Sequence, residues 1–330
     1  MSANVLSILA AAAALLVAAS PARPAAPLDP AKAEDALMLN RKMNCSLEDG
    51  LPVIHWWKGS MMSRVPGERD RVLFNVQGMN IRQCGSFSDP QRGPGFRSVS
   101  REVMLYLDPQ TNEVLRRWKN PWTGEEVEVI HVANDPVNMR APTYAYAADG
   151  KPAVFRASFV KDKVWTSGEA PLWYDNPLAG GYQEYVGNNY HAMEMLNSFT
   201  DARSLLDPKV KTLPSVSISW ARVSDWIPWM KMGGRTGLVV FTTVGKRVAS
   251  IDDLSEPLRS EIRANYPIYV APPPLDDARP NETSWTYIKK VVDSRRAADA
   301  NASAGAGAGA VAGSGAARPA AAAAAKADTP

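Results

Sequence analysis

The strongest constraint on this chain is a pattern that recurs from residue 72 onward: a few residues of alternating apolar and polar character, then a turn. Val72, Phe74 and Val76 alternate with Asn75 and Gln77, the period-2 signature of a half-buried strand. In residues 101–107, Val103, Leu105 and Leu107 share one face, and Asp108-Pro109-Gln110-Thr111-Asn112 follows. Proline fixes φ there while Asp and Asn bond the local backbone, so the chain turns and returns through residues 113–118 as a hairpin. Asn120-Pro121-Trp122-Thr123-Gly124 is a second turn, and residues 125–132 are a further strand. Residues 153–160 and 216–223 also read as strands, and 238–244 turns at Gly245-Lys246 into Arg247-Val248. Short strands joined by tight turns predict a mainly β fold with an antiparallel sheet. Closing that sheet removes exposed edges, so the expectation is a closed, lipocalin/calycin-like barrel with a few peripheral helices. A two-sheet β-sandwich is the alternative.

Helices interrupt this pattern. Ala192, Met195, Leu196 and Phe199 fall at i, i+3, i+4 and i+7, which predicts a helix over residues 189–206. Leu254, Leu258 and Ile262 predict another over 252–263, with Asp252 as its N-cap. Residues 285–292 fit a helix by spacing and a strand by β-branched and aromatic content, and both readings stand.

The ends of the 330-residue chain differ from its middle. Residues 5–19 are an almost unbroken apolar run, shorter than the roughly 20 residues a membrane-spanning helix needs. Val17-Ala18-Ala19 before Ser20 offers small residues to a signal peptidase. No Lys or Arg precedes the run, so an uncleaved anchor or a different start codon is the alternative. From residue 297 the chain is almost all Ala, Gly and Ser, too poor in apolar bulk to offset the entropy of ordering. The expected organisation is a signal peptide at 1–19, a Pro/Ala-rich linker at 20–34, one β-rich domain at 35–296 and a disordered tail at 297–330. This makes an exported protein, periplasmic or extracellular, with no membrane span after leader cleavage.

The net charge is only +3 and its carriers are scattered, which argues against a nucleic-acid partner. Two cysteines, Cys45 and Cys84, suit a disulfide in an oxidising compartment; two separate buried thiols are the alternative. No phosphate-cradling loop, metal-ligand spacing or nucleophile elbow occurs, and the three histidines lie far apart, so neither cofactor nor metal is expected.

Two segments carry candidate chemistry. In VEVIHVANDPVN, the alternation that sends Glu126 and Glu128 outward sends His131 inward, shortly before Asn134 and Asp135. An inward imidazole near a carboxylate suits a general acid or base, so His131 and Asp135 are candidate catalytic residues; a buried, backbone-satisfied histidine before an ordinary turn is the other reading. In SISWARVSDWIPWMKMGG, Trp220 and Arg222 share a strand face, and Trp226, Trp229 and Met230 follow. With Asn134 these residues can line a pocket for a flat apolar molecule, Arg222 or Arg235 fixing an anionic group; the same residues also suit a plain core. Arg64, Arg101 and Glu102 read as pocket charges or a structural ion pair, and Glu184 as an acid or a solvated charge.

Several motifs occur in a characteristic order: Pro66-Gly67-Glu68, Gly78-Met79-Asn80, Ser100-Arg101-Glu102, Trp118-Lys119-Asn120-Pro121-Trp122-Thr123-Gly124, Asn134-Asp135-Pro136-Val137-Asn138 and Trp226-Ile227-Pro228-Trp229-Met230-Lys231-Met232-Gly233. Across about residues 45–292 the chain thereby resembles a family of uncharacterised, mostly exported bacterial proteins known as a domain of unknown function. The resemblance implies one domain and export, and brings no reaction with it. The functional expectation rests on the residues: a binding protein for a small apolar or aromatic molecule, or a cofactor-independent lyase, isomerase or hydrolase using His131 and Asp135.

Overall fold

The computed structural model of the chain describes residues 26–312 apart from 139, 140, 183, 186 and 187, with side chains through residue 303. The expected signal peptide and residues 313–330 of the expected tail lie outside the described residues. In chain order the elements are α1 (Ala33–Asn44), β1 (Val53–Arg64), β2 (Arg71–Asp89), β3 (Gly93–Leu107), β4 (Arg117–Lys119), β5 (Glu126–Glu128) and β6 (Val132–Asn134). They continue with β7 (Thr143–Tyr144), β8 (Ser158–Val160), β9 (Lys163–Asp175), β10 (Asn189–Asp201), α2 (Ala202–Leu206), β11 (Ser217–Ser224), β12 (Leu238–Val248), α3 (Leu258–Asn265) and α4 (Ser284–Ala312).

The mainly β, antiparallel expectation is met, but the closed barrel is not. Ten strands form one sheet in the order β6-β3-β2-β1-β12-β11-β10-β9-β8, with β7 also on β3, and β6 does not pair with β8. The sandwich is absent too: the only second sheet among the described residues is the small β4–β5 ribbon. Alternation and turn residues fix which segments pair antiparallel, whereas closure depends on whether the two outermost strands meet. Here those strands are three residues each, and β6 and β8 stay apart.

Both faces of the β1–β3 half are covered. One side packs Trp57, Met61, Phe74, Val76 and Tyr106 against the 226–232 segment and the Trp285, Ile288 and Val292 stripe of α4. The other packs Met79, Ile81, Val103 and Leu105 against Leu258 and Ile262 of α3 and Tyr269. α1 and α2 close one end with Leu39, Met43 and Leu205 against Val164 and Val216. Cys45 and Cys84 are joined by a disulfide that ties the end of α1 to β2.

Several local expectations change. Residues 189–201 are strand β10, not a helix, and only 202–206 are helical. Tyr190, Ala192 and Leu196 lie on one face and Met193, Met195 and Phe199 on the other, so apolar residues on both faces imitate helical spacing. Gly245-Lys246 is not a turn: β12 runs straight through it, and a Cβ at Gly245 would sit 2.0 Å from the Trp56 carbonyl oxygen. Glycine there allows a close backbone approach rather than a reversal. Residues 125–132 are broken into β5 and β6, and α4 takes the ambiguous 285–292. α4 runs on to Ala312, so the start of the expected disordered tail is helical, in keeping with the high helix propensity of alanine. Leu28, in the expected linker, is buried against α2 and its neighbours.

Candidate functional site

Strand alternation and register put Glu102 of β3, Asn80 of β2, His55 of β1, Phe241 of β12, Arg222 of β11 and Glu194 of β10 on one side of the sheet. β3 and β10 are five strand spacings apart, roughly 24 Å in a flat sheet at about 4.8 Å each. The field of the Glu102 carboxylate is nevertheless felt at both Glu194 and Arg222. Side chains of this side lean together across the strands, which makes it the concave face. The Trp57 and Trp220 rings, from β1 and β11 with β12 between them, meet at 6.4 Å across the same hollow. Gly78 makes room for the first of these, since a Cβ there would come within 2.6 Å of the Trp57 ring.

Arg222 lies deep in this hollow. Its Nη1 is 3.4 Å from Glu194 Oε1, and the two side chains keep 14% and 16% of their area exposed. That separation is longer than a good charge-assisted bond, which runs about 2.7–2.9 Å. Arg222 Nε has no hydrogen-bond partner among the described residues, nor has the buried Tyr190 hydroxyl, whose ring lies 5.5 Å from the guanidinium carbon. Tyr174, Trp220 and Ile218 are partly buried at the β9–β11 end of this face, packed against the main core.

Electrostatics follow from this placement. Burial, and then the Glu102 carboxylate, push Glu194 up to about 7, against a hydrogen bond from the Trp220 side chain. Burial also raises Glu102, opposed by Arg222, Arg82 and a hydrogen bond with Asn80. Burial and a like-charged neighbour disfavour the ionised form of Glu194, whereas the Arg222 guanidinium 3.4 Å away favours it.

The family model described as "Protein of unknown function (DUF1838)" matches residues 50–292, which run from just before β1 to the last buried residue of α4. The chain belongs to this family. No curated protein matches it at significant similarity. The DUF1838 segment contains Glu102, Glu194, Arg222 and both tryptophans of the hollow, while α1 and Cys45 lie before it.

Within the DUF1838 domain the candidates from sequence separate into three places. Trp220 and Arg222 are on the concave face, and Asn134 stands opposite Glu102 in the β3–β6 pairing, with its Oδ1 unpartnered among the described residues. Trp226, Trp229 and Met230 are 4%, 1% and 0% exposed and pack into the core on this same face, together with Trp57, Tyr190 and Phe241. Asp135 is elsewhere: it bonds Arg101 at 2.8 Å and Arg279 at 2.9 Å, and these guanidinium groups keep it low against the effect of burial.

His131 accepts the Tyr106 backbone N–H at Nδ1, 3.1 Å away, and its Nε2 is buried with no partner among the described residues. Burial and Arg116, opposed by Glu261, bring it down to about 4. It borders a surface depression of about 170 Å³ shared with Tyr266, Tyr287 and Arg295. Arg235 contributes its carbonyl to Trp226 Nε1, Arg64 pairs with Asp70, and Glu184 with Arg296. Among the described residues no cluster of His, Cys, Asp and Glu is suited to a metal ion, and no helix is long and apolar enough to cross a membrane.

Sequence reasoning missed the carboxyl pair. Glu194 was hidden in a segment read as helix; read with period 2, the same residues put Tyr190, Ala192 and Glu194 on one face. Glu102 was weighed as a pocket charge or a structural ion-pair partner, with nothing in the sequence to link it to Arg222, 120 residues further on.

Proposed function

We propose that this protein binds a small molecule with an aromatic or apolar body and a carboxylate or carbonyl head in the hollow of the concave face. The observation that carries the reading is Arg222: a largely buried guanidinium with a loose partner and a spare Nε–H, on the face that also carries Trp220, Trp57 and Tyr190. An unmet buried donor costs free energy, about 1–3 kcal/mol, that an acceptor on a ligand recovers. Aromatic walls supply apolar area in rigid shapes, and one guanidinium fixes orientation. Tyr190, with its unpartnered hydroxyl, adds a second donor to the same wall.

The acid–base alternative is better supported at Glu102 and Glu194 than at His131 and Asp135. Asp135 is engaged by two arginines, and the Nδ1 of His131 by backbone. The disulfide supports export, because bridged cysteines persist in oxidising compartments. Secretion of the full-length chain, followed by N-terminal sequencing of the secreted form, tests that part.

Binding is tested by titrating phenylacetate, phenylpyruvate and medium-chain fatty acids against tryptophan emission. At least one aromatic carboxylate saturates the signal, and Arg222→Gln weakens it on the order of tenfold to a hundredfold, as loss of a charge-assisted bond does. Flat titrations with every compound, or equal binding by Arg222→Gln, overturn the reading.

A further inference from the structure

We infer that the depression beside His131 is a second binding site, which takes a small carboxylate on a body no larger than one ring. It measures about 170 Å³ and shares no lining residue with the concave face. The chain segment that includes Glu128 and His131 forms one wall, and Tyr266 forms another. Tyr287, Val291 and Arg295 recur every fourth residue, so α4 turns one stripe toward the same space.

The depression borders a donor that the fold leaves unused. His131 is 4% exposed, and its Nδ1 accepts the Tyr106 backbone N–H at 3.1 Å. In an uncharged ring the proton therefore sits on Nε2. That atom is buried and bonds nothing among the described residues. The Leu115 carbonyl acts on the ring but stands outside hydrogen-bond geometry with Nε2. A buried N–H without an acceptor is unfavourable, and an oxygen seated against it relieves that cost. Arg116 and Arg295 at the rim are 55% and 44% exposed, long side chains free to swing aside and admit it.

The charge suits a monoanion. Two guanidinium groups, Arg116 and Arg295, line the depression against one carboxylate, Glu128. Glu261 holds Arg116 at 2.5 Å and Glu128 holds Arg295 at 2.6 Å, each through Nη2. A guanidinium has five N–H donors in a planar fork, so both keep donors for a second, planar acceptor. Ion pairs this exposed hold their geometry weakly and re-partner readily.

The walls suit a ring. Tyr266, Tyr287, Val129 and Val291 supply aromatic and apolar surface, and a cavity of about 150 Å³ holds one benzene. A phosphate dianion would leave that surface unfilled and call for more positive charge. The carboxylate oxygens take the His131 Nε2–H and a guanidinium, and the ring lies along the tyrosines and valines.

The probe is 4-fluorobenzoate, with inorganic phosphate for comparison, added to the full chain carrying 15N-labelled histidine. His55, His131 and His191 give the imidazole signals, and His131→Asn identifies the one that matters. At pH 7, 4-fluorobenzoate moves the His131 Nε2 signal along a saturating curve, while His55, His191 and the phosphate titration stay flat. Arg116→Gln and Arg295→Gln each weaken binding about tenfold, as loss of a charge-assisted bond does. Ligand on the concave face reads out separately, at the Trp57 and Trp220 indoles, so the two sites stand or fall apart.

A His131 signal that ignores 4-fluorobenzoate overturns the inference. Movement driven by phosphate overturns the carboxylate assignment, and unchanged affinity in both arginine variants overturns the site. Circular dichroism checks folding, and if one arginine variant does not fold, the other decides.

Discussion

Glu194 and His131 pull the stability of this protein in opposite directions over the same pH range. Glu194 has a folded value of about 7 against an ordinary 4.5, so the folded state keeps a proton that the unfolded chain releases. Its neutral form is stable below pH 4.5, and stability falls as pH rises toward 7. Glu194→Gln removes that loss and is more stable than the parent at pH 8, on the order of 2–3 kcal/mol, with little difference at pH 4. Urea unfolding at the two pH values measures it.

His131, at about 4 against 6.5, behaves the other way: the unfolded chain takes up a proton that the buried ring refuses. Stability present above pH 6.5 is lost as pH falls toward 4, and His131→Asn, which keeps an acceptor for the Tyr106 N–H, has a shallower acid slope. Some slope remains, because burial also holds His55 well below its ordinary value. The inward position of His131 was legible from the alternation around it. The carboxyl pair was not, because its members come from segments with no mark of belonging together until strand register puts them on one face.

At the scale of elements, β1 and β12 approach so closely that side chains are excluded at two points. A Cβ at Gly59 would lie 1.9 Å from the Thr242 carbonyl oxygen, and one at Gly245 2.0 Å from that of Trp56. The obstacle is backbone, which cannot rotate away. Gly245→Ala therefore costs about 3 kcal/mol or more, at the upper end of overpacking effects. Gly168 of β9 has nothing within 4 Å of its would-be Cβ, so Gly168→Ala stays within about 0.5 kcal/mol of the parent. Chemical denaturation of the two variants separates these outcomes. Equal stability would mean that the close approach carries no cost. Alternation alone placed β11 and the parts of β2 and β3 at residues 72–77 and 101–107. It failed at β10, where both faces are apolar, and at Gly245, where a glycine in a strand imitates a turn.

At the scale of the molecule, antiparallel pairing was legible, while strand count, strand order and closure were not. Order and closure depend on contacts between segments far apart in sequence, such as β1 with β12 and β3 with β6. The disulfide acts at this scale too. It closes a segment with a sequence separation of 39 and fastens α1, which lies before the family segment, onto β2. Restricting the unfolded chain over such a loop is worth roughly 4 kcal/mol in the chain-entropy account. Reduction with dithiothreitol lowers the urea midpoint accordingly, and an unchanged midpoint would show that the bridge constrains nothing.

The central claim is that the concave face around Arg222 is where a ligand sits. It is tested most directly by recording 15N-indole spectra of the tryptophans while adding phenylpyruvate. The account expects the Trp57 and Trp220 indole signals to move together and saturate, while Trp173, 73% exposed on the opposite face, stays still. Movement confined to Trp173, or no movement at any tryptophan, would contradict it.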